Sequence, residues 1–272
     1  MRRIVSFLLA TLMLTAPAAQ AVGELKSEVV TLDVRPGVTM RYLAVTGEEQ
    51  PKAVVILFTG GKGTLHLGPS GELDKDLGLN FLIRTREEFV RQGLYVVAVD
   101  TASDNPDGMN GLVRHSSTYA QDIDKVIRDV MKHTSAPLWL VGTSAGTMSV
   151  ANVAVRLGQS PSRPHGLIFT STLTTLVSGL CGKSVYDAPL AAIQGPVLVV
   201  AHAEDACPCS PGNPAVVDKL LNAFSKAAPK DKMIFNGGDP PLSTACNARS
   251  RHGYFGIETE VVKSIADWIK SH

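Results

Sequence analysis

Five continuous apolar segments constrain the fold of this chain more than any other feature of its sequence. They are AVVILF at 53–58, LYVVAV at 94–99, LWLV at 138–141, GLIFT at 166–170 and PVLVVA at 196–201. Strands that are apolar on both faces are typical of parallel sheets, because helices cover both sides of such sheets. We therefore predict five strands that are buried on both faces.

The segments around these strands have helical or hairpin patterns. Apolar residues recur every three or four positions in 117–133, which predicts a helix there. The remaining elements that we predict are helices over 81–92, 145–157, 214–227 and 254–270, a short last strand over 232–235 and an N-terminal hairpin over 25–45. This order predicts an α/β fold, with a mostly parallel central sheet and helices on both faces. Functional groups of such sheets gather at the carboxyl ends of the strands.

The first 21 residues, MRRIVSFLLATLMLTAPAAQA, have the pattern of a secretory signal peptide. Two arginines precede an apolar segment at 4–14, and Ala19-Gln20-Ala21 fits a signal peptidase site. We predict a signal peptide over 1–21 and a single domain over 22–272, with an uncleaved N-terminal anchor as the alternative. No apolar segment of about 18 residues follows, so no further membrane span is expected. The predicted location is the bacterial periplasm or the extracellular medium.

The balance of charge argues against a polyanionic partner. The chain has 26 Lys and Arg residues against 25 Asp and Glu residues. Removing the two arginines of the signal leaves 24 against 25, a net charge of about −1 when histidine is neutral. Nucleic-acid binding needs a concentrated basic surface. We therefore expect no nucleic-acid partner, and the sequence does not indicate an oligomeric state.

The four cysteines of the chain are Cys181, Cys207, Cys209 and Cys246. An even number in an exported protein favours disulfides. A bridge between Cys207 and Cys209 would close a very small, strained ring, so we expect each to pair with Cys181 or Cys246. The alternative is a metal site that also uses His202, but the Cys-Pro-Cys spacing does not fit the usual spacing of zinc ligands. We therefore expect no metal.

The pentapeptide Gly142-Thr143-Ser144-Ala145-Gly146 fits the pattern Gly-x-Ser-x-Gly. This short pattern gains meaning from a strand before it and a helix after it, and both are predicted here. The sharp turn would hold Ser144 in a strained conformation at a helix N-terminus, where the dipole favours developing negative charge. Side chains at the two glycines would clash with a neighbouring strand or helix. Ser144 is our candidate nucleophile, and a serine that only caps the helix is the alternative.

With this pentapeptide in this context, the chain resembles the α/β-hydrolase superfamily over roughly residues 25–270. The resemblance implies a nucleophile, an acid and a histidine in that order along the chain. It implies that the acid follows PVLVVA, where Asp205 is the candidate and the adjacent Glu204 its competitor. It also implies that the histidine precedes the last helix, where His252 opens the sequence His-Gly-Tyr-Phe.

The resemblance further implies two backbone N–H groups that bind an oxyanion. One is that of Ala145, and the other is that of Gly61 or, as an alternative, Lys62 in the loop Thr59-Gly60-Gly61-Lys62-Gly63. Thr59 departs from the family pattern, which often has histidine there. The loop also fails the phosphate-binding pattern, because glycine follows Lys62 where serine or threonine is needed.

A cap is commonly inserted in this family between two of the later strands. The corresponding stretch, from Ser171 to Gly195, is short, so we expect a small cap and an open pocket. A bridge from Cys207 or Cys209 to Cys246 would tie the acid loop to the histidine loop. Of the other histidines, His202 is expected to be structural, and His66 to line the pocket.

These features predict an exported serine hydrolase that acts on a small acyl substrate, with a carboxylic ester as the leading choice and no cofactor. Peptidase, amidase and thioesterase activities use the same groups and stay open. A protein of another class, a non-catalytic envelope protein that uses the hydrolase fold for binding, is the remaining alternative.

Overall fold

The computed structural model describes residues 24–47, 50–73 and 79–272 of the 272-residue chain. The predicted signal peptide, residues 1–21, lies outside the described residues. Strands of the described part form one eight-stranded sheet: β1 (Lys26–Arg35), β2 (Val38–Thr46), β3 (Ala53–Phe58), β4 (Leu94–Ala102), β5 (Leu138–Thr143), β6 (Gly166–Thr170), β7 (Gly195–His202) and β8 (Ala227–Phe235).

The strand order in the sheet is β1-β2-β4-β3-β5-β6-β7-β8. The hairpin strand β2 is antiparallel to both β1 and β4, and the pairs from β4 through β3 to β8 are parallel. The helices are α1 (Phe81–Arg84), α2 (Arg86–Arg91), α3 (Gly111–Arg114), α4 (Ser117–Val130), α5 (Gly146–Leu157), α6 (Pro214–Ala223) and α7 (Glu258–Ser271). The predicted mostly parallel sheet with an N-terminal hairpin is confirmed.

Helices cover both faces of the sheet, as the apolar strands predicted. Alternate residues of a strand point to opposite faces. In β3, Val54 and Ile56 belong to one buried cluster with side chains of α4, α5 and α6. Val55 and Leu57 belong to a second cluster with side chains of α1, α2 and α7. The sheet therefore lies between two apolar cores. The strands at the centre of the sheet are buried on both faces.

Four predicted helices differ from the structure by more than one residue. The helix predicted over 117–133 ends at Val130. The helix predicted over 81–92 is divided into α1 and α2 at Thr85, whose hydroxyl donates to the carbonyl of Phe81 at 2.7 Å. The helix α6 ends at Ala223, four residues early, because the chain turns there to enter β8. The last helix begins at Glu258, because Tyr254 has a left-handed backbone with φ 57°.

The short cap predicted between Ser171 and Gly195 is present. It contains an isolated bridge between Val177 and Cys181 and two short 3₁₀ turns, Val185–Asp187 and Leu190–Ala192. No helix in the described ranges is long and apolar enough to cross a bilayer.

Candidate active site

Ser144 occupies the turn between β5 and α5, with a left-handed backbone of φ 53°. Its N–H donates to the carbonyl of Thr170 at the end of β6, at 3.0 Å, and its carbonyl accepts from the N–H of Thr147, also at 3.0 Å. Left-handed backbone is uncommon for residues other than glycine and marks strain that the surroundings enforce. The half-buried serine is thus held at the carboxyl edge of the sheet, at the first turn of α5.

The glycines on either side of Ser144 are required by close packing. A Cβ at Gly146 would lie 2.0 Å from the carbonyl oxygen of Phe58, the last residue of β3. A Cβ at Gly142 would lie 2.7 Å from a methyl group of Val150 in α5. These contacts are the clashes with a neighbouring strand and helix that the pattern predicted.

Asp205 lies three residues beyond β7 and is 6% exposed. Its backbone N–H donates to the carbonyl of His202 at 3.0 Å, and its Oδ1 accepts from the N–H of Cys207 at 2.9 Å. Its other oxygen, Oδ2, lies 2.8 Å from Nδ1 of His252. Glu204 does not compete for this position, because its carboxylate is exposed and pairs with Arg251 at 3.2 Å.

His252 lies in a 3₁₀ turn, Arg251–Gly253, and is 5% exposed. Its carbonyl accepts from the hydroxyl of Ser171 at 2.8 Å. The adjacent Tyr254 is fully buried, and its hydroxyl donates to the carbonyl of Val200 in β7 at 3.0 Å. Burial raises the pKa of the Tyr254 phenol, so this hydroxyl keeps its proton and anchors the histidine loop to the sheet.

Ser144 and His252 line the same cavity of about 50 Å³, together with Gly60, Gly61 and Phe81. Within the described ranges, Nε2 of His252 is buried and has no hydrogen-bond partner. Asp205 and His252 therefore form a hydrogen-bonded pair, and His252 shares a small cavity with Ser144. Hydrogen bonds between a nucleophile and its base are often long in a free enzyme and shorten when substrate binds.

Gly60 and Gly61, from the loop after β3, also line this cavity. Gly61 has a left-handed φ of 56°, and Ala145 occupies the N-cap position of α5. N–H groups in the first turn of a helix have no acceptor within that helix and are suited to anions. The carbonyl of Lys62 accepts from the N–H of Met109 at 2.7 Å, which ties this loop to the loop before α3. Gly61 and Lys62 both stay candidates for the second donor.

Two polar residues near the site were not predicted from the sequence. Ser210 is 2% exposed, and its Oγ lies 3.0 Å from Nδ1 of His252. Arg114, at the end of α3, is 1% exposed and donates to the carbonyls of Thr59 and Gly61. Neither lies in a recognisable motif, and these contacts with His252, Thr59 and Gly61 span more than 40 residues of the chain.

The four cysteines form two pairs at disulfide distance, Cys181 with Cys209 and Cys207 with Cys246. The second pair joins the acid loop to the histidine loop, and its Cα atoms are 4.6 Å apart. Cys246 also lines the cavity of Ser144. This pairing leaves no cysteine thiolate for the alternative metal site.

The sequence predicted a structural role for His202 and a place in the pocket lining for His66. His202 is fully buried, with Nε2 3.0 Å from the carbonyl of Gly237 and Nδ1 accepting from the N–H of Glu204 at 3.1 Å. It supports the start of the acid loop, as expected of a structural residue. His66 lines a different cavity, of about 410 Å³, beside Asp100 and Pro106. It therefore does not line the cavity of Ser144.

Solved structures of other proteins have a fold similar to that of this chain. No family model and no curated protein matches the sequence. A cold-adapted esterase from an Arctic intertidal metagenomic library is 15% identical, with a TM-score of 0.60 over 91% of this chain and 94% of its own. An esterase of Pyrococcus furiosus is 12% identical, with a TM-score of 0.59 over 91% of this chain and 93% of its own.

A third similar structure is that of a putative dipeptidyl aminopeptidase IV from Bacteroides ovatus, at 11% identity. Its TM-score is 0.59, over 91% of this chain but 36% of that longer one. The protein therefore has the α/β-hydrolase fold. At such identities the likeness concerns the fold, and the assignment of an activity depends on the residues of the site.

Proposed function

We propose that this protein is an exported serine hydrolase that cleaves a carboxylic ester through an acyl-enzyme. The observation that carries the proposal is the state of His252: its Nδ1 lies 2.8 Å from the buried carboxylate of Asp205, while its Nε2 lacks a partner. That Nε2 belongs to a residue that shares a cavity with Ser144. A histidine oriented in this way is suited to take a proton from a serine.

In the first half of the proposed reaction, Oγ of Ser144 attacks the acyl carbon and Nε2 of His252 accepts the hydroxyl proton. Asp205 accepts a hydrogen bond from Nδ1–H, which leaves Nε2 as the base and stabilises the imidazolium that forms. The tetrahedral intermediate then collapses. The bond from the acyl carbon to the leaving oxygen breaks, and His252 donates its proton to the departing alkoxide.

The negative oxygen of this intermediate is stabilised by the N–H groups of Gly61 and Ala145. Support for Gly61 comes from its place in the wall of the cavity and its left-handed backbone. Support for Ala145 comes from its position at the N-cap of α5, next to the nucleophile. Fixed donors in a buried site stabilise a developing charge without having to reorient.

In the second half, water attacks the acyl group on Ser144 while His252 accepts a proton from it. The second intermediate collapses by breaking the bond to Oγ of Ser144, and His252 returns the proton to the serine. The acid product then leaves. The residues of the chain supply every proton transfer in this scheme.

A small acyl ester is the substrate that fits best. The cavity beside Ser144 measures about 50 Å³, which suits a short acyl group. The structurally similar proteins named as esterases make an ester the leading choice over other acyl compounds.

Peptide hydrolysis is the second candidate, because a putative dipeptidyl aminopeptidase IV shares the fold. The two activities are separated by comparing a p-nitrophenyl ester with a p-nitroanilide of the same acyl group. An esterase cleaves the ester far faster than the anilide. A peptidase with an extended peptide site instead requires a peptidyl anilide.

The first test is hydrolysis of p-nitrophenyl acetate by the chain from Val22 onward, with Ser144→Ala as the decisive variant. We expect kcat/KM to fall by a factor on the order of 10⁴ or more in this variant. Ser162→Ala is the control, since Ser162 is a buried serine in the loop between α5 and β6, which precedes the amino end of β6. A fluorophosphonate should label the wild type at Ser144. If the folded, oxidised wild type neither hydrolyses the ester nor reacts with the probe, the result would favour the alternative of a non-catalytic protein that uses the hydrolase fold for binding.

Export is supported by the signal-like sequence of residues 1–21 and by two cysteine pairs, since disulfides are typical of oxidising compartments. N-terminal sequencing of the protein recovered from the periplasm and medium should begin at Val22. An intact N-terminus in the membrane fraction would instead indicate an anchor.

A further inference from the structure

Arg114 lies behind the loop that carries Gly60 and Gly61, and it is 1% exposed. Its Nη2 donates to the carbonyl of Thr59 at 3.1 Å and to the carbonyl of Gly61 at 3.0 Å. Its Nη1 donates to the hydroxyl of Ser149 in α5 at 2.9 Å. One guanidinium therefore joins the loop after β3 to the helix that begins next to Ser144.

This cation has no carboxylate partner among the described residues, and its Nε has no hydrogen-bond partner there. Burial lowers the pKa of Arg114, yet a guanidinium stays protonated in proteins. The contrast with Arg35 is clear, because Arg35 pairs with Asp104 at 2.8 Å and with Asp122 at 2.9 Å. A buried charge without a counter-ion is costly, and loop carbonyls offset it only in part.

The loop is built to admit this guanidinium. A Cβ at Gly63 would lie 2.6 Å from Nη2 of Arg114, so a glycine is needed there. The N–H of Gly63 donates to the carbonyl of Gly60 at 3.1 Å, which closes a tight turn. The carbonyls before and after that of Gly60 along the chain, those of Thr59 and Gly61, are the ones that accept from Arg114.

We propose that Arg114 is the positioning residue of the oxyanion hole, and that its charge is offset by the oxyanion of the tetrahedral intermediate. The inference rests on the proposed function. Arg114 binds the carbonyls of the peptide groups Thr59–Gly60 and Gly61–Lys62. These two groups lie on either side of the Gly60–Gly61 peptide, so Arg114 fixes the orientation of the N–H of Gly61. Its field also favours negative charge at the cavity in a buried, weakly screened site.

The alternative is that Arg114 only braces the loop. A bracing role depends on the shape and contacts of the Arg114 side chain, whereas the proposed role also depends on its positive charge. A brace affects stability and substrate binding alike, whereas the proposed role affects the charged transition state and spares the neutral substrate.

The test compares Arg114→Met with wild type in p-nitrophenyl acetate hydrolysis and in binding of butylboronic acid. Boronic acids add to a nucleophilic serine as tetrahedral anions and so report on the oxyanion hole. We expect kcat to fall about 10- to 100-fold with KM within about twofold. The affinity for the boronic acid should fall by the same factor as kcat/KM. Arg35→Met is the control, because it removes an arginine of the same size whose partners are Asp104 and Asp122 instead of the loop after β3.

Two further variants separate charge from shape. Arg114→Lys keeps the charge, and we expect it to retain more of kcat than Arg114→Met. In Arg114→Ala, added guanidinium ion at low millimolar concentration should restore part of kcat. Equal losses in the Lys and Met variants, without guanidinium rescue, would overturn the proposal. So would an Arg114→Met variant with kcat and boronate affinity within twofold of wild type.

Gly63→Ala offers a second approach if Arg114→Met fails to fold. Its Cβ displaces the guanidinium while the charge stays in the chain, so kcat should again fall more than 1/KM. Unchanged kcat in a folded Gly63→Ala variant would count against the proposal. A wild type that neither hydrolyses the ester nor reacts with a fluorophosphonate at Ser144 would instead refute the proposed function itself.

Discussion

Asp205 and His252, 47 residues apart in the chain, meet through a hydrogen bond of 2.8 Å from Nδ1 to Oδ2. The carboxylate is held by a second bond from the N–H of Cys207, so its two oxygens have different and fixed partners. This arrangement orients the imidazole with Nε2 toward the cavity of Ser144. Predictions about the site follow from the groups that maintain it.

Asp205→Asn should lower kcat/KM by a factor of about 10⁴, because an amide can hold the wrong tautomer of the histidine. The variant should fold, since the amide has nearly the same shape as the carboxylate. Glu204→Gln is the matched control, because Glu204 is exposed and pairs only with Arg251 in the described structure. Equal losses in the two variants would show that Asp205 is not the specific partner of His252.

Ser210→Ala should lower kcat/KM about 3- to 10-fold, in line with the net value of one hydrogen bond, about 0.5–1.5 kcal/mol. The Oγ of Ser210 lies 3.0 Å from Nδ1 of His252 and gives the imidazolium N–H a second acceptor. Ser162→Ala serves as the buried-serine control. A Ser210→Ala variant as active as the control would mean that Asp205 alone orients the ring.

Gly60→Ala should lower kcat/KM about 10- to 100-fold, because small displacements of a nucleophile are costly. A Cβ at Gly60 would lie 2.9 Å from Cβ of Ser144 and 3.4 Å from its Oγ. Gly182→Ala is the control, since a Cβ there has no neighbouring atom within 4 Å. The measurement is steady-state kinetics alongside thermal unfolding. A fully active Gly60→Ala variant would show that the loop can retreat from the serine.

Peptide mapping of the unreduced protein should recover Cys181 joined to Cys209 and Cys207 joined to Cys246. Cys207→Ser/Cys246→Ser should unfold at lower temperature, because a bridge across 39 residues contributes about 2–4 kcal/mol. It should also lose activity below its melting temperature, since the bridge connects the two loops that carry Asp205 and His252. A free Cys246 in the map would contradict the pairing.

His115 should make the stability depend on pH between neutral and mildly acidic conditions. Burial lowers the pKa of its imidazole in the folded protein, where Nε2 lies 3.1 Å from the carbonyl of Ser184 in the cap. The unfolded chain therefore takes up a proton first as the pH falls. The contribution of His115 is complete above its unfolded pKa, about 6.5, and is lost as the pH falls toward its folded value. Melting temperatures from pH 8 to 5 should fall more steeply for wild type than for His115→Asn.

The sequence predicted the central strands well, because continuous apolar segments such as AVVILF have few alternatives to a strand buried on both faces. It predicted β8 poorly. That strand pairs only with β7 in the described sheet and is largely exposed, so its sequence AAPKDKMIF lacks an apolar pattern. The start of α7 was also misplaced. Tyr254 has a helix-compatible sequence context, and its left-handed backbone depends on a distant contact with Val200.

For the site, Ser144 was predicted from a pentapeptide between a predicted strand and a predicted helix, whereas Asp205 and His252 were predicted from the resemblance to the α/β-hydrolase superfamily. Ser210 and Arg114 were not available, because their importance comes from contacts across the tertiary structure. Arg114 reaches a loop 55 residues earlier, and nothing in its neighbours along the chain indicates that contact. Sequence patterns and the family resemblance can therefore indicate functional groups at strand ends. The residues that support those groups become apparent only from contacts in the folded structure.

The crossed pairing of the cysteines has a consequence for proteolysis. Cys207 and Cys209 belong to one loop but have partners on opposite sides of it, at Cys181 and Cys246. A single cut at any peptide bond between residues 181 and 246 therefore leaves its two fragments joined by at least one bridge. A protease that nicks the cap after Cys181, or the acid loop, would separate Ser144 from His252 in sequence while both stay on one covalent molecule. On a gel, such nicked protein would run as a single species until a reductant is added.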